Sequence, residues 1–228
     1  MSVCLAAFNG EKYIGAQVAS ILASPRVGEL LVSDDGSTDA TLELLRGVAD
    51  PRLRILPGPR RGPIRNFEFL LAQAAGDYLF LSDQDDVWLE NKVDVMLAAL
   101  QEVDLAVSDC SIVDSTLSVV APSFYVLRGS GPGVVKNLWK NSFLGCCMAF
   151  RRDVLRYVLP FPDAVPMHDW WIGLMVNRKG RVRFVNQPLV LYRRHGLNAS
   201  YTAQKSQASR LTQLKWRLRM IGALLSRA

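Results

Sequence analysis

The chain has 228 residues, of which 50% are hydrophobic, and its formal net charge is +6 at pH 7. This length and apolar content suffice for one large domain or two small ones that fold without a partner. No apolar stretch approaches the roughly 18 residues of a membrane-spanning helix, and the aromatic residues do not interleave with basic ones as in nucleic-acid-binding proteins, so we expect neither class.

The N-terminus leads directly into the strand-like segment SVCLAAF, without the basic stretch or the cleavage site of a secretion signal. The four cysteines include no C-x-x-C pair, and three of them lie in apolar strand-like segments, where thiols behave as small hydrophobic groups. We therefore expect a cytoplasmic protein with reduced, structural cysteines.

Apolar strand-like segments alternate with segments of helical periodicity through the first half of the chain. The predicted strands are 2–8, 29–33, 53–56, 78–82 and 104–113. The predicted helices cover about 11–23, 39–48, 66–74 and 89–101. This alternation predicts an α/β protein with a mostly parallel, Rossmann-like sheet and helices on both faces. In such sheets, ligands bind at the carboxyl ends of the strands.

After about Asp114 the alternation becomes looser. The glycines of RGSGPGV predict a flexible loop over 128–134. The elements predicted after it are a strand over 143–150, helices over 151–159 and about 169–177, and strands at 181–185 and 189–192. We expect this half to be an addition to the first.

Three polar clusters stand where predicted strands end, and a parallel sheet would bring them to one edge. They are AFNGE (7–11), SDDGSTD (33–39) and SDQDD (82–86). In SDDGSTD, Asp35 and Gly36 are typical of a turn into a helix capped by one of the next three residues. A cap needs only one acceptor, so the doubled Asp34 and Asp35 also fit a site for a pyrimidine base or ribose hydroxyls.

The cluster SDQDD, with Asp83, Asp85 and Asp86, poses a similar choice. An N-cap for the following helix explains one carboxylate but not three, since adjacent unpaired carboxylates cost free energy unless a cation compensates them. Oxygen ligands alone select a hard ion, Mg²⁺ or Mn²⁺. A shell of one or two carboxylates suits a metal that is also bound by the phosphates of a nucleotide diphosphate.

The C-terminal segment is strongly basic. From Arg210 its apolar residues recur at steps of three and four, with Lys and Arg between them, at Leu211, Leu214, Leu218, Ile221 and Leu225. This pattern predicts an amphipathic helix. Such a helix either docks on the domain or lies on an anionic membrane.

Six motifs, in this order, resemble those of the family-2 glycosyltransferases with the GT-A fold, and among them the branch of bacterial rhamnosyltransferases. They are AFNGE, SDDGSTD, GDYLFLSDQDDVW, FLGCCMAF, HDWWIG and LYRRHGLNAS. The resemblance covers the chain to about residue 201. It implies one glycosyltransferase domain over 1–201, with a nucleotide-sugar-binding half (1–114) and an acceptor-side half (115–201), followed by the basic helix (202–228).

The resemblance also implies roles for individual residues. Those that match the binding site of the nucleotide sugar are Ala7, Phe8, Asn9, Glu11, Asp34, Asp35, Arg65, Asn66 and Asp83. Asp85 matches the direct metal ligand of a D-x-D motif, Asp83 faces ribose or metal, and His195 matches a position that closes over the diphosphate or metal. Asp169 matches the catalytic carboxylate. The implied contacts of the acceptor or the transferred sugar are His168, Trp170, Trp171 and Gly145.

Without the resemblance, the residues of HDWWIG do not decide between a structural and a catalytic role for this motif. A helix start with two packed tryptophans explains the motif as well as a catalytic site does. His168 and His195 are the two histidines of the chain, and both also fit structural roles.

The resemblance implies a metal-dependent, inverting glycosyltransferase. Mn²⁺ or Mg²⁺ would stabilise the leaving diphosphate, and Asp169 would deprotonate an acceptor hydroxyl. We predict transfer of rhamnose from dTDP-rhamnose in cell-envelope polysaccharide synthesis, with another UDP- or dTDP-sugar as the alternative. The acceptor would be a saccharide, including a lipid-linked one, which the C-terminal helix would meet at the inner face of the cytoplasmic membrane.

Two rival hypotheses remain at this point. A sugar-nucleotide pyrophosphorylase would need a glycine-rich phosphate loop near the N-terminus, where AFNGEKY offers only Gly10 and Lys12. A non-catalytic carbohydrate-binding subunit would need neither Asp85 nor Asp169.

Overall fold

The computed structural model describes residues 1–163, 165–195 and 209–227. Within these residues, nine strands form a single sheet. In chain order they are β1 (Ser2–Ala7), β2 (Glu29–Asp34), β3 (Leu53–Pro57), β4 (Tyr78–Asp83), β5 (Val87–Trp88), β6 (Leu105–Val113), β7 (Val119–Ala121), β8 (Met148–Arg151) and β9 (Val182–Arg193). Their order across the sheet is β3-β2-β1-β4-β8-β6-β9-β5, with β7 paired to β6. The five strands predicted in the first half are confirmed.

The helices of the described residues are α1 (Ile14–Leu22), α2 (Thr41–Arg46), α3 (Gly62–Gln73), α4 (Lys92–Ala99), α5 (Phe124–Arg128), α6 (Val134–Trp139), α7 (Leu155–Val158), α8 (His168–Lys179) and α9 (Arg210–Ser226). Helix α3 begins at Gly62, before the predicted start near Asn66, with Pro63 in its first turn, where the missing N–H of proline costs nothing. The sequence analysis missed α5 and α6 because they are short and flank the glycines of RGSGPGV.

Strands β1 to β4 form the parallel part of the sheet, and they position the polar clusters. In the register of these strands, Ala7 lies opposite Asp34, Ala6 opposite Asp83, and Asp34 opposite Pro57. The carboxyl ends of β1, β2 and β4 therefore meet at one edge. The interior of these strands is buried on both faces because helices cover both sides of the sheet.

The second half of the chain contributes strands to the same sheet and makes it mixed. The predicted strand over 143–150 is a 3₁₀ turn, Gly145–Cys147, followed by β8. Strand β8 runs antiparallel to both β4 and β6, between which it lies. The two strands predicted at 181–185 and 189–192 are one strand, β9, which is parallel to β6 and carries a register shift. Strand β8 pairs with β4 itself, and β9 pairs with β5, which follows the end of β4, so second-half residues come to lie beside that end.

Close packing joins α8 to the segment before β8. A Cβ at Gly173 would overlap the Phe143 ring, so only glycine fits at that turn of α8. Phe143 and Trp171 are among the largest fully buried side chains of the described core. This packing fixes the N-terminal end of α8 against the sheet edge.

Helix α9 packs against the domain through Met220 and Leu224, which are buried. The predicted amphipathic helix is therefore present. Residues 196–208 lie outside the described residues. They include the end of the LYRRHGLNAS motif and the start of the predicted 202–228 segment. None of the helices in the described ranges has the length and apolar content to span a membrane.

Candidate active site

A cavity of about 510 Å³ opens at the carboxyl edge of the sheet. Its walls come from the ends of β1, β2 and β4, the start of α3, the Gly145 turn and the start of α8. The lining residues are Ala6, Ala7, Phe8, Asp35, Arg60, Gly62, Pro63, Asn66, Asp83, Gln84, Asp85, Leu144, Gly145, Met167, His168, Asp169 and Tyr192. Nine residues predicted for the site therefore converge on one space, although they are spread over most of the chain.

The loop after β1 is braced against the loop after β2. The Asn9 side-chain oxygen accepts a hydrogen bond from the backbone N–H of Thr38 at 2.9 Å, and the Glu11 carboxylate accepts one from the N–H of Ala40 at 2.9 Å. Neither side chain lines the cavity. Asn9 and Glu11 thus hold the loops together, whereas Ala7 and Phe8 line the cavity.

The paired carboxylates of SDDGSTD both accept backbone hydrogen bonds. Asp34 accepts from the N–H of Ser37 at 3.0 Å and from the Ser37 hydroxyl, which is the turn that the sequence allowed. Asp35 accepts from the N–H groups of Arg60 and Gly62, both at 2.7 Å, at the start of α3. Asp35 also lines the main cavity, while Asp34 borders an adjoining cavity of about 270 Å³.

The structure does not place Arg65, which was predicted to contribute to the donor site, in the cavity wall. The Arg65 guanidinium pairs with Glu68 and Asp163 and donates to the carbonyl of Phe161 at 3.0 Å. It therefore ties α3 to the segment before α8 and does not line the cavity. Arg60 lines both cavities instead. The sequence did offer a signal for Arg60: it is a basic residue of the segment PRRG, which lies between the end of a strand and the start of a helix.

Asn66 does reach the site. Its side-chain NH₂ donates to the carbonyl of Ser33 at 3.0 Å, which fastens α3 to the end of β2. Its side-chain oxygen is buried and has no hydrogen-bond partner within the described residues. Since an unpaired buried acceptor costs free energy, this atom is available to a donor group of a ligand.

Asp83 and Asp85 lie in the cavity wall at the end of β4. Burial, followed by the charges of Asp85 and Asp169, raises the pKa of Asp83 to about 8. The carboxylate of Asp85 lies 2.8 Å from Nε2 of His195. This concentration of negative charge in a buried place is what a bound cation relieves.

The donor chemistry of this cluster fits a hard divalent cation. Asp83 and Asp85 offer carboxylate oxygens to the cavity, and such ligands suit Mg²⁺ and Mn²⁺. Oxygens of Asp83 and Asp86 and the sulfur of Cys146 also lie within 4.8 Å of one another. A thiol suits these hard ions poorly, and Asp86 and Cys146 are buried outside the cavity wall, so Asp83 and Asp85 are the better pair.

Asp86 connects the end of β4 to the end of β9. Its carboxylate accepts from the N–H of Arg193 at 3.0 Å, and the Arg193 guanidinium donates to the carbonyl of Asp85 at 2.7 Å. Burial and the charges of Asp85 and Asp83 raise the pKa of Asp86 well above its ordinary value. The third aspartate of SDQDD is therefore an internal connection that brings His195 to the cluster.

The position of His195 is set by an aromatic contact. Its ring stacks on Tyr13 with centroids 4.9 Å apart, and the Arg193 guanidinium lies 4.5 Å from the centre of the same ring. His195 is not part of the cavity wall but reaches it through Asp85. Its predicted role as a metal ligand stays a prediction.

Asp169 lies in the first turn of α8, and its carboxylate faces the cavity. It accepts from the N–H of Gly145 at 3.2 Å and from its neighbour's N–H, that of Trp170, at 2.6 Å. Burial raises the pKa of Asp169 to about 7, despite these two hydrogen bonds, which lower it. A carboxylate with a pKa near neutrality is suited to take a proton from a hydroxyl.

The turn that carries Gly145 is supported from beneath. The ammonium group of Lys92 is fully buried and donates to the carbonyl of Cys146 at 2.7 Å, and it lies 4.6 Å from the centre of the Trp88 ring. Sequence analysis missed Lys92, because a lysine in the first turn of a polar-looking helix gives no signal of burial.

His168 is buried at the cavity wall with neither ring nitrogen hydrogen-bonded within the described residues. Its ring stacks on Phe67 with centroids 4.0 Å apart. Burial lowers the pKa of His168 to about 3, so the imidazole is neutral at physiological pH. A neutral imidazole has one donor and one acceptor nitrogen, the combination that a sugar hydroxyl can use.

The two tryptophans predicted to contact a sugar are engaged elsewhere in the structure. Trp171 is fully buried, and its indole N–H donates to the carbonyl of Val158 at 2.9 Å. The Trp170 indole N–H donates to the carbonyl of Asn137 at 2.8 Å. Neither ring lines the cavity. Successive helical residues point about 100° apart, so Trp170 and Trp171, which follow Asp169, lie on other sides of the helix and face protein.

Further lining residues gave no signal in the sequence. Gln84, between the two aspartates of the D-x-D motif, brackets the backbone of Phe8 with two hydrogen bonds, at 2.8 and 2.9 Å. Leu144, Met167 and Tyr192 are apolar or aromatic and could not be told from core residues before the fold was known.

Comparison with known proteins agrees with this geometry. The profile of the family described as Glycosyl transferase family 2 matches residues 2–159. The chain is 25% identical over 242 residues to the dTDP-rhamnosyl transferase RfbG of Shigella flexneri, covering 93% of this chain and 80% of that protein. It is 23% identical over 190 residues to the UDP-Glc:alpha-D-GlcNAc-diphosphoundecaprenol beta-1,3-glucosyltransferase WfgD of Escherichia coli, covering 82% and 73% respectively.

Among solved structures, the mannosyltransferase PcManGT from Pyrobaculum calidifontis, in complex with GDP-Man and Mn²⁺, has the same fold. The TM-score is 0.64 and the identity 22%, with 99% of this chain covered. The chain spans 62% of the length of that protein. Family membership removes the pyrophosphorylase and the carbohydrate-binding scaffold from the hypotheses. The chain belongs to glycosyl transferase family 2 and is a glycosyltransferase with the GT-A fold.

Proposed function

We propose that the protein catalyses metal-dependent, inverting transfer of rhamnose from dTDP-rhamnose to a hydroxyl of a saccharide acceptor, in the synthesis of a cell-envelope polysaccharide. The observation that carries this proposal is the shared cavity: the acidic pair Asp83 and Asp85 and the buried carboxylate of Asp169 line one space of about 510 Å³. That space holds a ligand of nucleotide-sugar size, because small-molecule sites range from about 300 to 1,000 Å³.

The nucleotide would lie along the ends of β1 and β2, where Ala7, Phe8 and Asp35 form the wall beside Arg60. Asn66 adds a buried oxygen that lacks a partner among the described residues. The diphosphate would lie towards Asp83 and Asp85, which would hold Mn²⁺ or Mg²⁺. A divalent ion there would stabilise the charge that grows on the leaving diphosphate.

Asp169 is the proposed base. The acceptor oxygen forms a bond to C1 of the donor sugar while the bond from C1 to the diphosphate oxygen breaks, and the hydroxyl proton passes to the Asp169 carboxylate. The attack comes from the face opposite the leaving group, so the configuration at C1 inverts. A pKa of about 7 lets Asp169 be ionised and still basic enough to take the proton.

The choice of donor rests on the relatives. The rhamnosyl transferase RfbG matches 93% of this chain, which supports a dTDP-sugar. The glucosyltransferase WfgD matches 82%, which keeps a UDP-sugar as the second candidate. The reaction would take place in the cytoplasm, where free cysteines are the rule, and all four cysteines here are free and buried.

The test is a donor screen with detection of nucleoside diphosphate release and of product mass, using dTDP-rhamnose, UDP-glucose and other dTDP- and UDP-sugars. Each donor is offered with Mn²⁺, with Mg²⁺ and after chelation. Turnover of dTDP-rhamnose that needs a divalent ion supports the proposal. A preference for a UDP-sugar would show that the proposed donor is wrong. Transfer that survives chelation would show that the reaction does not depend on a divalent ion.

A further inference from the structure

Helix α9 is attached to the domain by one of its faces. Met220 and Leu224 are buried, and the Arg217 guanidinium donates to the carbonyl of Trp139 at 2.9 Å. At the end of the helix, the Arg227 guanidinium donates to the carbonyls of Leu159 and Pro160, at 2.8 and 2.5 Å. The residues that contact the domain are therefore 217, 220, 224 and 227, which lie on one face of the helix.

The apolar stripe seen in the sequence lies on a different face and points outward. Its members, which we call the outer stripe, are between 40% and 72% exposed and are Leu211, Leu214, Leu218, Ile221 and Leu225. Spacings of three and four residues keep them in one line along the helix. Docking and an outward apolar surface are thus compatible, because they use separate faces of the same helix.

A neighbouring helix extends this surface. On α6, Val135 is 81% exposed and Trp139 is 73% exposed. The guanidinium of Arg217 lies 4.7 Å from the centre of the Trp139 ring, which joins the two helices directly. A tryptophan beside aliphatic side chains is typical of surfaces that enter the headgroup region of a bilayer. Contiguous exposed apolar patches of this kind mark binding surfaces.

The charges around the outer stripe select the partner. Helix α9 has the sequence RLTQLKWRLRMIGALLS, with four basic residues and no acidic one. Lys136 on α6 and Lys140, directly after Trp139, are exposed as well. A second copy of the helix would place basic flanks against basic flanks, whereas helix pairs rely on opposite charges beside the apolar seam. Anionic phospholipid headgroups complement this surface instead.

We propose that the outer stripe, together with Val135 and Trp139, binds an anionic lipid bilayer, with the helix axis parallel to the membrane plane. Lys136, Lys140, Lys215 and Arg219 would contact the headgroups while the leucines enter the acyl boundary. This binding is independent of the proposed donor and reaction. It would hold the enzyme on the surface where an acceptor carried by a lipid is presented.

The test is co-sedimentation of the full chain with vesicles of phosphatidylcholine alone or of phosphatidylcholine with phosphatidylglycerol. We expect binding to the anionic vesicles, weaker binding to the neutral ones, and a decrease with added salt. The double variant Leu218→Glu/Leu225→Glu should lose binding. The variant Lys215→Glu/Arg219→Glu should bind about thirtyfold more weakly or worse, since each basic residue contributes roughly fivefold at an anionic surface.

The control is Leu44→Glu, which changes another exposed leucine, on α2 and outside this surface. It should bind vesicles like the unchanged protein. Thermal melting of each variant, and binding of dTDP or UDP with Mn²⁺, check that the fold and the donor site are intact. Failure of nucleotide binding would count against the proposed function only and leave the vesicle result valid.

Two outcomes would overturn the proposal. One is that the unchanged protein does not sediment with anionic vesicles, or that the leucine variant still does. The other is that light scattering shows a dimer that Leu218→Glu/Leu225→Glu converts to a monomer, which would make the outer stripe an interface between copies of the chain.

Discussion

The substitution Asp169→Asn should lower the rate of transfer strongly and, at neutral to alkaline pH, make the free protein more stable. Burial raises the pKa of Asp169 to about 7, and the difference from its ordinary value corresponds to about 4 kcal/mol. The folded state binds this proton more tightly than the unfolded state. The free energy of unfolding is therefore undiminished below about pH 4 and falls as the pH rises through about 7.

Asparagine removes this pH-dependent cost but accepts with one oxygen only. Asp169 accepts from the N–H groups of both Gly145 and Trp170, so the variant leaves one of them unpaired at a cost of about 1 kcal/mol. At pH 8 the variant should thus be about 3 kcal/mol more stable than the unchanged protein, and at pH 4 about 1 kcal/mol less stable. Loss of the Asp169 charge also relieves Asp83, which acts in the same direction.

The measurement is urea unfolding of both proteins at pH 4 and pH 8, in the absence of nucleotide and divalent ions. Effects of carboxylates that do not interact with Asp169 are shared and cancel in the difference, whereas the relief of Asp83 adds to it. Transfer should fall by about 10²- to 10⁴-fold in the variant. In the unchanged protein, kcat/KM should decrease tenfold per pH unit below the pKa of the base. A variant no more stable than the unchanged protein at pH 8, or one with near-normal transfer, would show that this carboxylate is not the buried base.

Three further results are expected. Asp85→Ala should remove the Mn²⁺ dependence of dTDP or UDP binding in calorimetric titrations, and binding that still responds to the metal would place the ion elsewhere. His168→Phe should keep the fold, because a phenyl ring can replace the stacked imidazole, but should raise KM for the sugar substrates; an unchanged KM would leave His168 without a role in recognition. Gly173→Ala should lower the free energy of unfolding in urea by about 1–3 kcal/mol, because its Cβ would overlap Phe143. The control is Gly15→Ala, whose Cβ meets open space. It should leave the free energy of unfolding unchanged or raise it by up to about 1 kcal/mol.

The acidic edge of the sheet serves two purposes, and the structure separates them. Asp34, Asp35 and Asp86 accept backbone hydrogen bonds that fold the loops and join β4 to β9. Asp83 and Asp85 have carboxylates in the cavity wall. A cluster that looks uniform in the sequence is thus divided into carboxylates that build the edge and carboxylates that face a ligand, with Asp35 doing both.

The amino-acid sequence by itself determined the strands of the first half and the edge at which their polar ends meet, where Asp83 and Asp85 lie, whereas the interest of Asp169 came from the family resemblance. These features are local, because strand alternation, helical periodicity and the residues at strand ends are set by near neighbours along the chain. The apolar periodicity of α9 was also visible, including each member of the outer stripe.

Only the tertiary structure decided which of these groups face the cavity and which face protein. Arg60 lines the site and Arg65 does not, because Glu68 and Asp163 engage the second guanidinium. The tryptophans beside Asp169 are directed to carbonyl groups distant in sequence, and α9 docks by a face that the stripe does not include. Each outcome depends on contacts between segments far apart in the chain, and periodicity carries no information about which partner a helix face will meet.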